Sequence, residues 1–172
     1  MSSDGFEHAF HILFEERAAS LQRYLSSLSG DVALAEDITQ ESFIRLYRRG
    51  SMPDSPRAWL VTVAHNLVRD AHRRRIRHRN LLSRREGEIP TADAPPESDA
   101  AALANERIAG ARRALARLSE RDRQLLLLRH EGYEYREIAQ ILDVAPSGIG
   151  TMLARASEAF RRIYQGLNRS SD

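Results

Sequence analysis

Cysteine is missing from this 172-residue chain, which excludes disulfides, thiolate metal sites and a cysteine nucleophile and fits a reducing compartment. Lysine is missing too, so all 26 basic Lys and Arg positions are arginine. Arginine is the side chain suited to bidentate phosphate and base-edge contacts, although GC-rich codon usage produces the same bias. No long apolar run occurs. The opening residues, MSSDGFEHAFHILFEERAA, carry acids early and match neither a signal peptide nor a membrane anchor, so the expected location is the cytoplasm. Glycine-rich phosphate loops, GxSxG elbows and paired carboxylates are absent, which argues against an enzyme. His8 and His11 lie near Glu7 and Glu15, but without HExxH or a third anchored ligand no metal site is expected, and nothing calls for a cofactor.

Strand-like alternation and hairpin dipeptides are also missing, and helical periodicity takes their place, so the fold class is all-α. Phe10, Leu13 and Phe14 mark one apolar face, followed by Leu21, Tyr24, Leu25 and Leu28, with Gly30 closing the segment. A second helix begins near Asp31 and turns Ile38, Phe43, Leu46 and Tyr47 inward before the break GSMPDSP. Pro53 and Pro56 stop it, and Asp54 or Ser55 can cap a third helix carrying Trp59, Leu60, Val63, Ala64 and Leu67 before it turns strongly basic.

From 83 to 104 the composition shifts to Pro, Ala and acids, which cannot bury enough surface to offset ordering and reads as a flexible linker. The expected architecture is therefore two small helical domains, 1–82 and 105–172, joined by an acidic tether. After the tether, Ser119 with Asp122 forms a capping box for a helix holding the LLLL run, and Gly132 ends that helix. Ile138, Ala139, Ile141 and Leu142 then make a short helix, Asp143 and Val144 a tight turn, and Ile149, Leu153 and Phe160 the face of a longer one. Two helices joined this closely form a helix-turn-helix.

Three constellations carry functional chemistry. In DNA-binding helix-turn-helix proteins the second helix points its N-terminal residues at base edges, which selects Pro146, Ser147, Gly148, Gly150, Thr151 and the phosphate-facing Arg155. The run RDAHRRRIRHRN is a basic helix end, with Trp59 and Asn66 upstream as an aromatic and an amide able to meet unstacked bases. A lone tryptophan among Leu60 and Val63 also fits a core position. In EDITQESFIRLYRR, Asp37, Gln40, Glu41 and Arg45 project outward at i, i+3, i+4 and i+8, as in any amphipathic helix.

In this order the blocks resemble the extracytoplasmic-function, or group 4, sigma factors of the sigma-70 family over nearly the whole chain. DVALAEDITQESFIRLYRR followed by PRAWLVTVAHNLVRDAHRRR resembles region 2, and ALARLSERDRQLLLLRHEGYEYREIAQILDV resembles region 4. The resemblance implies that Asp37, Gln40, Glu41 and Arg45 dock on the clamp helices of the largest subunit of core RNA polymerase. It implies that Pro56 to Asn66 help open the duplex, and that Trp59, Asn66, Asp70, Arg73 and Arg74 take up the non-template strand of the minus-ten element. Region 4 would read the minus-thirty-five element and touch the flap of the second-largest subunit. The linker acids Glu86, Glu88, Asp93, Glu97 and Asp99 would occupy the polymerase cleft.

One departure bears on promoter choice. Where relatives commonly carry a lysine and an arginine in the recognition helix, this chain has Gly150 and Met152, which weakens the phosphate contribution to binding. Asp143 replaces a turn glycine and tolerates left-handed backbone. The expected partners are core polymerase, promoter DNA and an anti-sigma factor, and the free chain is expected to be a monomer. Two other readings make different predictions. A standalone helix-turn-helix regulator would dimerise on a palindromic site, and a helical interaction module would bind no nucleic acid.

Overall fold

The computed structural model describes residues 3–82 and 99–169, and these form seven helices and a short 3₁₀ turn with no strand among the described residues. Helix α1 spans Ser3–Ser29, α2 Val32–Arg49 and α3 Pro56–Leu82, with Gly30 and Gly50 taking left-handed backbone at the breaks. After the gap come α4 (Asp99–Ala116), α5 (Glu120–His130), α6 (Tyr135–Leu142), a 3₁₀ turn at Pro146–Gly148, and α7 (Ile149–Arg169). Glu86, Glu88, Asp93 and Glu97 lie outside the described residues. Helical backbone already begins at Asp99, within the stretch expected as linker, because its alanines are strong helix formers even with little to bury.

Local chemistry sets most of the boundaries. The Asp31 carboxylate accepts a hydrogen bond from the Leu34 N–H at 3.0 Å and starts α2. Ser119 Oγ accepts from the Asp122 N–H at 3.1 Å and starts α5. At the end of α5 the N–H of Gly132 reaches the carbonyl of Arg129 and that of Tyr133 reaches Leu128, the paired bonds of a Schellman motif. Asp143 ends α6 at φ 54°, in the left-handed region.

In the N-terminal half, α1 packs along α2, and α3 closes the layer. Tyr24, Leu25, Leu46, Leu60 and Val61 are fully buried there, and each large apolar side chain removed from water contributes roughly 2 kcal/mol. Tyr47 departs from expectation. It is 53% exposed, although two aromatic side chains of α1 contact its ring, Phe10 at 5.3 Å and Phe6 at 6.2 Å between centroids. Phe14 is likewise 44% exposed. In the C-terminal half α7 packs on α4 and α5, centred on Leu125, Leu128, Ile138 and Ile149.

The halves do not stand apart. α6 packs on α3 and α5 on α1, and the buried side chains of both halves form one continuous apolar cluster.

Candidate nucleic-acid interface

Trp59, Asn66, Asp70, Arg73 and Arg74 recur at i, i+7, i+11, i+14 and i+15, which gathers them on one stripe of α3. Trp59 is half-buried and packs against the core, while the other four are exposed. The core reading of the tryptophan is therefore met in part, with the residue only partly covered. Arg69 donates to Asn66 Oδ1, Arg73 lies 3.9 Å from Asp70, and Arg74 Nε donates to the Asp70 carbonyl at 3.4 Å. These exposed pairs add little stability, so the guanidinium groups can exchange them for phosphate.

Behind this stripe, Tyr24 Oη and His65 Nε2 are 2.6 Å apart. Burial, with the Arg69 charge adding to it, holds the His65 imidazolium down to about 4, so the ring is neutral near pH 7. Burial also raises the Tyr24 phenol well above its ordinary value. A neutral hydrogen-bonded pair therefore supports the helix under the basic stripe. Further along, Arg75 reaches back to Asp31 at 3.0 Å. That carboxyl is held below its usual value, first by the Leu34 N–H and then by Arg75. A cleft of about 740 Å³ runs alongside, lined by Arg69, Arg73, Arg74 and Arg75 of α3 and by Arg123 of α5.

The α2 set also shares one face. Asp37, Gln40 and Arg45 are exposed, Glu41 is half-buried, and Arg45 Nε donates to Glu41 Oε1 at 2.8 Å. Ile44 is exposed on the same side. A groove of about 470 Å³ lined by Phe10, Phe14, Phe43, Ile44 and Tyr47 adjoins Gln40, so a polar stripe there borders an apolar one.

In the C-terminal half Pro146, Ser147 and Gly148 form the 3₁₀ turn leading into α7. Ser147, Thr151 and Arg155 are exposed at i, i+4 and i+8, and Pro146 stands exposed beside them. Gly148 and Gly150 are half-buried. Gly150 backs onto Tyr135, where an added Cβ would sit 3.6 Å from the ring. Arg129 lies over the same ring at 5.7 Å from its centroid. Met152 is half-buried, with Arg121 reaching its sulfur at 3.9 Å, so a cation from α5 stands near the position where relatives commonly carry one on α7.

Comparison with known proteins identifies the family. Residues 13–78 match sigma-70 region 2, and residues 110–160 match sigma-70 region 4. The ECF RNA polymerase sigma factor SigL of Mycobacterium tuberculosis is 34% identical over 90% of this chain and 88% of its own length. The RNA polymerase sigma factor CarQ of Myxococcus xanthus is 30% identical over 93% and 91%. The chain belongs to the extracytoplasmic-function sigma factors of the sigma-70 family. As a sigma factor it directs promoter-specific transcription initiation by RNA polymerase. The fold agrees with two solved sigma factor structures. RpoE in complex with the anti-sigma factor NepR from Bartonella quintana has a TM-score of 0.71 at 21% identity, covering 91% of this chain and 97% of that one. CnrH in complex with the cytosolic domain of CnrY has a TM-score of 0.66 at 19% identity, covering 95% and 92%.

Sequence reasoning missed the residues by which this sigma factor joins its halves. Tyr133 is buried between them with Arg57 over its ring at 4.6 Å, and Arg57 also meets Glu137 at 3.6 Å. Arg23 meets Glu131 at the same distance. The one local signal was a large aromatic directly after Gly132, where a Schellman motif commonly makes an apolar contact. No helix among the described residues is long and apolar enough to cross a membrane, and none of their His, Asp and Glu side chains cluster in threes fit to hold a metal.

Proposed function

We propose that the three exposed surfaces divide the work of initiation among them. The α2 face of Asp37, Gln40, Glu41 and Arg45 docks on the clamp helices of the largest polymerase subunit. The α3 stripe of Trp59, Asn66, Asp70, Arg73 and Arg74 takes up the melted non-template strand of the minus-ten element. Pro146, Ser147, Gly148, Gly150, Thr151 and Arg155 read the minus-thirty-five element, while the same half touches the flap of the second-largest subunit. The observation that carries this reading is the gathering of each set on a largely exposed stripe of its own, in chain order, two on the N-terminal half and one on the C-terminal half. Stacking on an aromatic and charge neutralisation by arginine favour single-stranded DNA at α3, and a helix-turn-helix favours duplex at α7.

The protein supplies binding energy and no bond-making chemistry, so the polymerase carries catalysis. It acts in the cytoplasm, as a monomer when free. An anti-sigma factor holds it in check, a reading supported by the two solved relatives, one captured with an anti-sigma factor and the other with the cytosolic domain of CnrY. Absence of any inhibitor protein in a pulldown from unstressed cells would count against that partner.

Reconstitution tests the whole assignment. Purified protein, bacterial core polymerase and sheared DNA from the same genome are expected to give discrete new RNA 5′ ends, each preceded by two shared boxes at fixed spacing. Asn66→Ala and Arg73→Ala should each lower that output at least tenfold without weakening polymerase binding. Unchanged output in both variants would remove the α3 stripe from minus-ten recognition.

A further inference from the structure

We propose that the cleft between α3 and α5 is a binding site for a compact polyphosphate anion, carried either as a free inorganic chain or on a nucleoside. The cleft holds about 740 Å³, within the range of ordinary small-ligand pockets, and two helices share its guanidinium groups. α3 supplies Arg69, Arg73, Arg74 and Arg75, and α5 supplies Arg123. Glu120 is the one carboxylate among the described residues that line it. Cations of one sign gathered in a cleft focus the field and raise the local concentration of an anion.

Three observations point to a phosphate chain. The first is how loosely most of these guanidinium groups are held. Arg69 donates to the neutral Asn66 Oδ1, and Arg73 stands 3.9 Å from Asp70 with both side chains exposed, a pairing worth little. Arg75 is the exception, paired with Asp31 at 3.0 Å. The second is Arg123, whose buried Nε has no hydrogen-bond partner among the described residues, whereas buried donors are nearly always paired. The charge of that guanidinium is not met at this atom from the protein side, and an anion in the cleft offsets it. The third is a neighbouring cavity of about 220 Å³ that Leu28, Ser29 and Arg123 also line and to which α4 adds Arg112. A further guanidinium thus borders the same corner.

The lining favours a polyphosphate over a nucleic-acid strand. Single-stranded DNA is held by stacking its bases on aromatic side chains, and no Trp, Tyr or Phe is among the residues that line this cleft. Planar guanidinium forks instead grip phosphate oxygens in pairs. Leu28, Leu34 and Val68 add an apolar patch against which a nucleoside can lie. Arg73 and Arg74 belong both to this cleft and to the stripe proposed for the minus-ten strand, so an occupant draws on guanidinium groups that the strand would use. That consequence rests on the proposed reading of α3, and the binding itself does not.

Calorimetric titration of the free protein at low salt, without divalent cations, tests the site with inorganic tripolyphosphate, ATP and inorganic phosphate as separate probes. Saturable one-to-one binding of tripolyphosphate in the micromolar range is expected, with inorganic phosphate far weaker. Equal or weaker affinity for ATP assigns recognition to the phosphate chain alone, and tighter binding adds the nucleoside on the apolar patch. Arg123→Gln and the exposed Arg69→Gln should each weaken tripolyphosphate about tenfold, whereas Arg162→Gln, exposed on α7 outside the cleft, should leave it unchanged. Glu120→Gln should tighten it roughly threefold by removing the carboxylate from the lining. Circular dichroism checks that each variant keeps its helices, and Arg69→Gln decides the matter if Arg123→Gln does not fold. Absence of tripolyphosphate binding overturns the site. So does binding that Arg162→Gln weakens as much as the cleft variants do, which is generic attraction to an arginine-rich surface. A single-stranded oligonucleotide whose binding depends on Arg123, where that of tripolyphosphate does not, gives the cleft to nucleic acid and also overturns it. None of these titrations uses promoter or polymerase, so failure of the minus-ten reading is scored separately.

Discussion

His65 shows how one side chain ties this sigma factor to pH. Its imidazolium is held down to about 4, chiefly by burial and then by Arg69, against an ordinary value of 6.5. The folded state therefore binds fewer protons than the unfolded chain between those values. The resulting stability is complete above about pH 6.5 and is lost as pH falls toward 4, by roughly 2 to 3 kcal/mol for this half-buried ring. Denaturant titrations at pH 7 and pH 4.5 should show that loss in the natural protein and a clearly smaller one in His65→Gln. An equal loss in the variant would show that His65 does not carry the pH dependence in this window, where Asp31 cannot carry it either, because its lowered value acts only further into acid. The same tyrosine–histidine pair supports the basic stripe, so acid should also loosen α3 before it unfolds α7.

Helix boundaries separate what was legible in the sequence from what was not. Asp31, Ser119, Gly132 and Asp143 were readable because capping and left-handed turns depend on residues within one turn of each other. The outward α2 set and the α7 stripe were readable for the same reason, since both rest on helical spacing. Tyr47 was misread as core because its surroundings depend on where α1 crosses, and a helix period alone cannot say which edge of an apolar face is left uncovered. Asp31→Asn keeps an acceptor for the Leu34 N–H and should cost less than about 0.5 kcal/mol, whereas Asp31→Ala should cost about 1 kcal/mol, because the exposed Arg75 pair is worth little. Equal losses by thermal melting would show that the ion pair, and not the cap, starts α2. At the head of α7, Gly150→Ala meets Tyr135 at ordinary contact distance and should stabilise the fold by about 0.5 to 1 kcal/mol. Gly150→Lys should steepen the salt dependence of duplex binding by roughly one unit of logarithmic slope. An unchanged slope would mean that this face does not lie against phosphate.

At the scale of the whole molecule, two halves expected as separate domains share one buried cluster, and the aromatic after Gly132 is the one local hint of such a contact. Tyr133 sits in a loop between helices, Arg57 and Glu137 each look like ordinary surface charges, and only the long-range fold brings them together. Domains of this size bury a modest core alone, so each half gains from the other. Cooperativity of unfolding measures that gain. Trp59 is the sole tryptophan and reports the N-terminal half by fluorescence, while far-ultraviolet circular dichroism reports the helices of both. In the natural protein the two signals should trace one denaturant transition. Tyr133→Ala removes the plug, a truncation worth roughly 3 kcal/mol at a buried aromatic, and should split them. Fluorescence would then keep a single transition while the dichroism became biphasic, with the C-terminal half melting separately. Coincident transitions in the variant would mean that the continuous cluster survives without the Tyr133 ring, and that the Arg57 and Arg23 ion pairs suffice to couple the halves.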